Sequence, residues 1–147
     1  MDLGISIKSV IEAKFGPYLD TLPEDKREEK LNQYIEAAGN SLQGTINEAE
    51  TLVDSIQSTC TTIVASVPTT ITQVASLVTM IDPTAKAAQL TTIIESISNY
   101  KDQLKRASSQ VESLSNILVQ LSMSNPIVNT LKTAISTASA LLSTIPV

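Results

Sequence analysis

Few side chains in this sequence are suited to catalysis or metal binding. The chain contains no histidine, so neither a Ser-His-Asp triad nor an imidazole metal site can form within it. Four carboxylates lie within residues 24–30, a grouping that could bind a hard cation. Three basic residues lie among them, and acidic side chains in the first turn of a helix complement its dipole. We therefore interpret this segment as a solvated helix start and expect neither a metal nor a cofactor.

Cys60 is the only cysteine of the chain, which excludes an intramolecular disulfide framework and a thiolate metal cluster. Its thiol could be a nucleophile, but it lies between Ile56 and Ile63 on an apolar helical seam, where cysteine behaves as a small apolar residue. Core packing is the favoured interpretation, and a reactive thiol is the alternative.

One charged patch lies in the second half of the chain, around Lys101, Asp102, Lys105 and Arg106. Asp102 precedes two of the cations by three and four residues, so an exposed helix face with local ion pairs is expected. A contact between subunits is the alternative. No Gly-rich loop joins a strand to a helix, so nucleotide binding has no support, and we do not expect an enzyme.

The charge distribution limits the classes of partner. The net charge is −5, and residues 1–50 hold five basic and ten acidic side chains, whereas residues 51–147 hold five of each. No basic stripe is present, so nucleic acid is not an expected partner and an anionic membrane surface is disfavoured. Residues 55–81 lack charge, but their Ser, Thr and Gln content and Pro68 are poorly suited to a membrane span.

The apolar residues recur at spacings of three and four, which predicts an all-α protein. Residues 1–22 are expected to form an N-terminal arm with a short helix that Gly16-Pro17 stops, and residues 23–147 a helical bundle. Pro68 should break or bend the first long helix, while Asp82-Pro83 and Asn125-Pro126 supply an N-cap followed by a proline that starts a helix. The predicted helices are 23–66, 69–81, 83–124 and 126–145.

Two of these helices carry long heptad seams whose flanks are Ser, Thr, Ala and Gln instead of charged residues. A helix of this kind has little charge with which to face water, so both seam and flanks are expected to contact other helices. At about 1.5 Å per residue, the third predicted helix would be roughly 60 Å long, which favours an elongated bundle or hairpin. The seam residues proposed to mediate interaction are Leu42, Ile46, Val53, Ile56, Ile63, Val67, Leu90, Ile97, Leu104, Val111, Leu118 and Leu121.

The sequence resembles, in style, the helical subunits of bacteriophage virions, such as tail, baseplate or portal-vertex accessory proteins. The similarity lies in the seams of residues 42–67 and 90–121, which are flanked by Ser, Thr, Ala and Gln. The resemblance covers most of the chain without a diagnostic motif, and it implies a place in a particle but no residue roles. We expect a non-enzymatic structural subunit that forms a homo-oligomer or packs with other structural proteins. The N-terminus lacks the pattern of a secretory signal, so a virion or cytoplasmic location is expected.

Two other classes of protein remain open from the sequence. An amphipathic helical protein that inserts into or coats a membrane, as pore-formers and translocators do, would use the uncharged stretches 55–81, 113–131 and 133–147. The chain lacks the aromatic belt and basic face that such proteins usually carry. A helical chaperone or adaptor would use the same seams, but would be missing from the finished assembly.

Overall fold

A computed structural model of the chain describes residues 3–147 and contains four helices and no strand within them. These are α1 (Ile7–Leu19), α2 (Glu24–Leu77), α3 (Pro83–Gln120) and α4 (Ile127–Ser143). The protein is therefore an all-α helical bundle, as the apolar spacing predicts.

Two helix starts have the predicted cap. The Asp82 carboxylate accepts a hydrogen bond from the backbone N–H of Thr84 at 3.0 Å, and Pro83 occupies the first position of α3. The Asn125 side chain accepts from the backbone N–H of Ile127 at 2.9 Å, so α4 begins one residue after the predicted start. Each side-chain oxygen satisfies a donor that has no partner inside the helix.

The structure differs from the prediction where proline was expected to interrupt a helix. α2 continues through Pro68, and α1 continues through Pro17. At Pro68 the helix loses one backbone hydrogen bond, but Ile63 and Val67 before it and Thr70 after it are all buried. Packing on both sides of the proline therefore holds the turn in helical geometry. α2 is also continuous through Gly39 and Gly44.

α3 ends at Gln120, four residues before the predicted end at Ser124. Ser122 adopts the left-handed conformation with φ 56°. The N–H groups of Ser122 and Met123 donate to the carbonyls of Val119 and Leu118 at 3.0 and 2.9 Å. This is a Schellman ending with serine in the position that glycine usually occupies.

The chain divides into two compact units, each with its own contacts. The first unit contains the residues up to Asp54 together with Glu112–Val128, and the second contains Ser55–Val111 and Asn129–Val147.

In the first unit α1 lies antiparallel to the beginning of α2, so the predicted arm is part of a folded unit. The rings of Phe15 and Tyr34 stack with centroids 4.6 Å apart. Arg27 Nε donates to the carbonyl of Leu19 at 3.0 Å, which satisfies an acceptor at the C-terminal end of α1. The buried core of this unit includes Val10, Ile11, Leu19, Ile46, Ala49, Val53, Leu114, Leu118 and Leu121.

The second unit is built from the later part of α2, most of α3 and nearly all of α4. The side-chain amide of Gln110 in α3 donates a hydrogen bond to the hydroxyl of Ser55 in α2 at 3.4 Å. This bond links the two antiparallel helices at the end opposite their connection, residues 78–82. α4 packs against both helices, since grooves lined jointly by α4 and each of them lie on its two sides. Its buried core includes Ile56, Cys60, Ile63, Val67, Ile93, Ile97, Leu104, Ala107, Val111, Leu131, Ala138 and Leu142.

Candidate interaction surface

Most side chains of the predicted seam are buried in the protein's own core. Ten of the twelve side chains are buried by the protein's own helices, whereas Leu42 is partly exposed and Leu90 is 37% exposed. The buried ones are Ile46, Val53, Ile56, Ile63, Val67, Ile97, Leu104, Val111, Leu118 and Leu121.

A partner that binds the folded chain therefore meets the flanks of the seams and not their centres. Because the protein's own helices bury the seam, packing within one chain is enough to explain its apolar periodicity. The role of these residues toward another protein stays a prediction, and the surface to consider is what α2, α3 and α4 leave exposed.

The exposed side of α2 in the second unit carries no charged side chain. Residues 55–81 carry no Asp, Glu, Lys or Arg, and their outward positions are filled mainly by Ser, Thr, Ala and Gln. Protein surfaces usually carry about a quarter or more of charged residues. This stretch is therefore poor in the groups that normally keep a helix facing solvent.

Many hydroxyls on this surface already have a hydrogen-bond partner within their own helix. Thr59, Ser66, Thr72 and Ser76 each donate to the carbonyl four residues earlier, at 2.8 to 3.0 Å. Such internal bonds reduce the need of the hydroxyls for water. A neighbouring helix can cover these side chains without leaving their donors unsatisfied.

α3 and α4 of the second unit form a groove with an apolar floor and a basic rim. Its floor includes the buried side chains of Leu104, Leu142 and Ile145, and Ile94, which is 48% exposed, lies at one end. Lys101 and Lys105 contribute the only charged side chains among the lining residues. The predicted ion pairs of Asp102 with Lys105 and Arg106 do not form, since no salt bridge within residues 3–147 includes these residues or Lys101.

The connection between α2 and α3 exposes two aliphatic side chains. Val78 is 82% exposed and Ile81 is 94% exposed. Isolated apolar residues on a surface are common, but these two lie in one five-residue connection that has a single charged residue, Asp82.

Cys60 occupies the core position that its spacing predicts. The residue is 5% exposed, and desolvation by burial raises the pKa of its thiol. A raised pKa lowers the fraction of thiolate, which is the nucleophilic form. The environment therefore favours an unreactive packing residue.

The acidic segment at the start of α2 is exposed. Lys26 and Glu29 form an ion pair at 3.9 Å whose side chains are open to solvent. Throughout residues 3–147 no three Cys, Asp or Glu side chains are grouped so that they could hold a metal ion. The segment has the geometry of a helix start with acidic residues in its first turn.

Of the residues that line the α3–α4 groove, the sequence already singled out Ile97, Lys101, Leu104 and Lys105, but not Ile94. Ile94 follows Ile93, which is buried in the core. The adjacent isoleucines at 93 and 94 were the available signal, because only one of two consecutive helical residues can point into a narrow core.

Comparison with known proteins gives no relationship from which function could be transferred: no family model, curated protein or solved structure matches this chain. Among the helices of residues 3–147, none combines the length and the apolar character needed to cross a bilayer. The case for function therefore depends on the surfaces described above.

Proposed function

We propose that this protein is a non-enzymatic structural subunit that packs through its uncharged helices into a larger protein assembly. The observation that carries the proposal is the exposed, charge-free surface of residues 55–81. A surface of this composition is suited to lie against other helices, because charged residues are depleted at the centre of protein interfaces.

The side-chain inventory supports the same proposal. The chain lacks histidine, its one thiol is buried, and its carboxylates at the start of α2 are exposed to solvent. None of these groups has the buried, paired environment that tunes an acid, base or nucleophile. The bacteriophage virion is the kind of particle that the resemblance in style suggests, and we propose it as the assembly to test.

The stoichiometry of a purified assembly tests this function. The assembly would be isolated from the native source, and the copies of this chain per particle would be counted by quantitative mass spectrometry. A structural subunit should be present at one ratio to the other components in independent preparations. A chaperone would be absent from the finished particle, and that result would contradict the proposal.

Contact with a lipid surface is a second candidate, favoured by the exposed Val78 and Ile81 in the α2–α3 connection. These side chains are positioned to enter the interfacial layer of a bilayer without a spanning helix. Flotation with neutral and anionic vesicles tests it, using V78D/I81D as the comparison. Loss of flotation in that variant would support lipid contact, and no flotation of the unaltered protein in either vesicle would exclude it.

A further inference from the structure

We infer that the α3–α4 groove of the second unit binds the acidic first unit of a second copy of this chain. The inference rests on the proposed function and adds to it a second surface, distinct from residues 55–81, through which copies of a structural subunit would bind one another. It concerns a contact between two molecules in which two different surfaces meet.

The groove has the features of a docking site. Leu104, Leu142 and Ile145 form an apolar floor, and the exposed side chains of Ile94 and Val147 extend it to the surface. A side chain inserted between α3 and α4 would remove both Ile94 and Val147 from water. Burial of such apolar area is the main favourable contribution to association.

The rim of the groove selects an acidic partner. Lys101 and Lys105 lie on it, no acidic side chain lines it, and neither lysine is paired within residues 3–147. A partner with carboxylates would supply the missing counter-charges, whereas a basic partner would be repelled.

The chain itself carries the matching charge. Sequence positions 1–54 and 112–128 hold twelve acidic and five basic residues, a net charge of −7. Positions 55–111 and 129–147 hold three acidic and five basic residues, a net charge of +2. Charge attraction therefore favours contact between the first unit of one copy and the second unit of another. Two first units, which are both acidic, repel each other.

The start of α2 is the part of the first unit best suited to the groove. Glu24, Asp25 and Glu28 are exposed and make no salt bridge in the described part of the chain. The exposed aromatic side chains of Phe15 and Tyr18 belong to the same unit, and aromatic residues are enriched at protein interfaces. When two unlike surfaces meet, each molecule of the pair still has one of its two surfaces unoccupied. Further copies bind there, so the contact builds rings or filaments.

Paired charge reversals test this contact in the full-length protein. K101E/K105E reverses the rim of the groove, and E24K/E28K reverses the acidic surface. Light scattering should show self-association of the unaltered protein, weakened about tenfold or more by either double variant. Mixing the two double variants should restore association, because each then offers a surface that the other complements.

Two controls separate this contact from general effects of charge. Lys86 is an exposed cation of the same unit that does not line the groove, so K86E should leave association unchanged and K101E should weaken it. I94S should weaken association, whereas I81S, at an exposed site outside the groove, should not. Circular dichroism should show the same helix content in all variants.

The outcomes distinguish this inference from the proposed function. Self-association that survives both double variants, or no recovery on mixing them, would overturn the groove contact. A mass of one chain at every concentration would also overturn it. A constant stoichiometry in a purified assembly would still support a structural subunit, with a different protein as its partner.

Discussion

The backbone N–H of Met123 donates to the carbonyl of Leu118 at 2.9 Å and closes α3 across Ser122. Ser122 is the only non-glycine residue with positive φ within residues 3–147. A side chain at such a position carries a steric cost that glycine avoids. Serine is therefore less stable than glycine would be in the backbone conformation that ends α3.

Replacing Ser122 with glycine should stabilise the protein. The expected gain in the free energy of unfolding is about 0.5–1 kcal/mol, because the left-handed strain is relieved while the unfolded chain gains some freedom. Urea denaturation measures it. S124G is the matched control, since Ser124 has no positive φ. An equal gain from both substitutions would contradict this explanation.

Replacing Pro68 with alanine should also stabilise the protein. Alanine restores the missing hydrogen bond to the carbonyl of Val64 and removes the clash of the ring, for an expected gain of about 1–3 kcal/mol. Pro83 provides the control, because proline is favourable in the first position of a helix. P83A should bring no gain. If P68A proved destabilising, packing of the proline ring would be a larger contribution than the helix defect.

The pH dependence of stability should report the buried thiol of Cys60. Burial raises the pKa of this thiol above its ordinary value of 9.0, so the folded state holds the proton more tightly than the unfolded state. This contribution is fully present below the unfolded pKa and is lost as the pH rises through the folded pKa. The stability of the unaltered protein relative to C60A should therefore be constant near neutral pH and fall above about pH 9. A flat difference up to strongly alkaline pH would show that the thiol is not buried.

The predicted seam contains both core and surface residues, and acidic substitutions should separate them. Ile56 is fully buried and Leu90 is 37% exposed. I56D should destabilise the fold by several kilocalories per mole, because an unpaired carboxylate enters an apolar core. L90D should keep the helix content and melting temperature close to those of the unaltered protein. Thermal unfolding followed by circular dichroism measures both, and equal losses would mean that Leu90 also belongs to the core.

The helix starts at Asp82-Pro83 and Asn125-Pro126 were predictable because a cap is local: one side chain satisfies a donor two residues away. The helix break predicted at Pro68 does not occur, because Ile63, Val67 and Thr70 are buried on both sides of it, and local sequence does not reveal that burial. Ser122 gave no signal, since serine is uncommon at a left-handed helix end. Local chemistry thus predicted where α3 and α4 begin, whereas tertiary packing decided that α2 continues through Pro68.

The candidate surface was predictable only in part, for a related reason. Apolar spacing identified side chains such as Ile56 and Leu104, but spacing cannot tell whether the helix that covers a seam belongs to the same chain or to another. Here the same chain covers both residues. The groove around Lys101 and Lys105 requires knowledge of which face of α3 lies beside α4.

The native mass of the full-length protein, measured by light scattering over a wide range of concentration, tests the central claim most directly. A subunit that assembles with copies of itself should show a mass that rises from 15.7 kDa to multiples of that value as concentration increases. The rise should weaken at high salt, since screening reduces attraction between unlike charged surfaces. A mass of 15.7 kDa at every concentration and salt would contradict self-assembly.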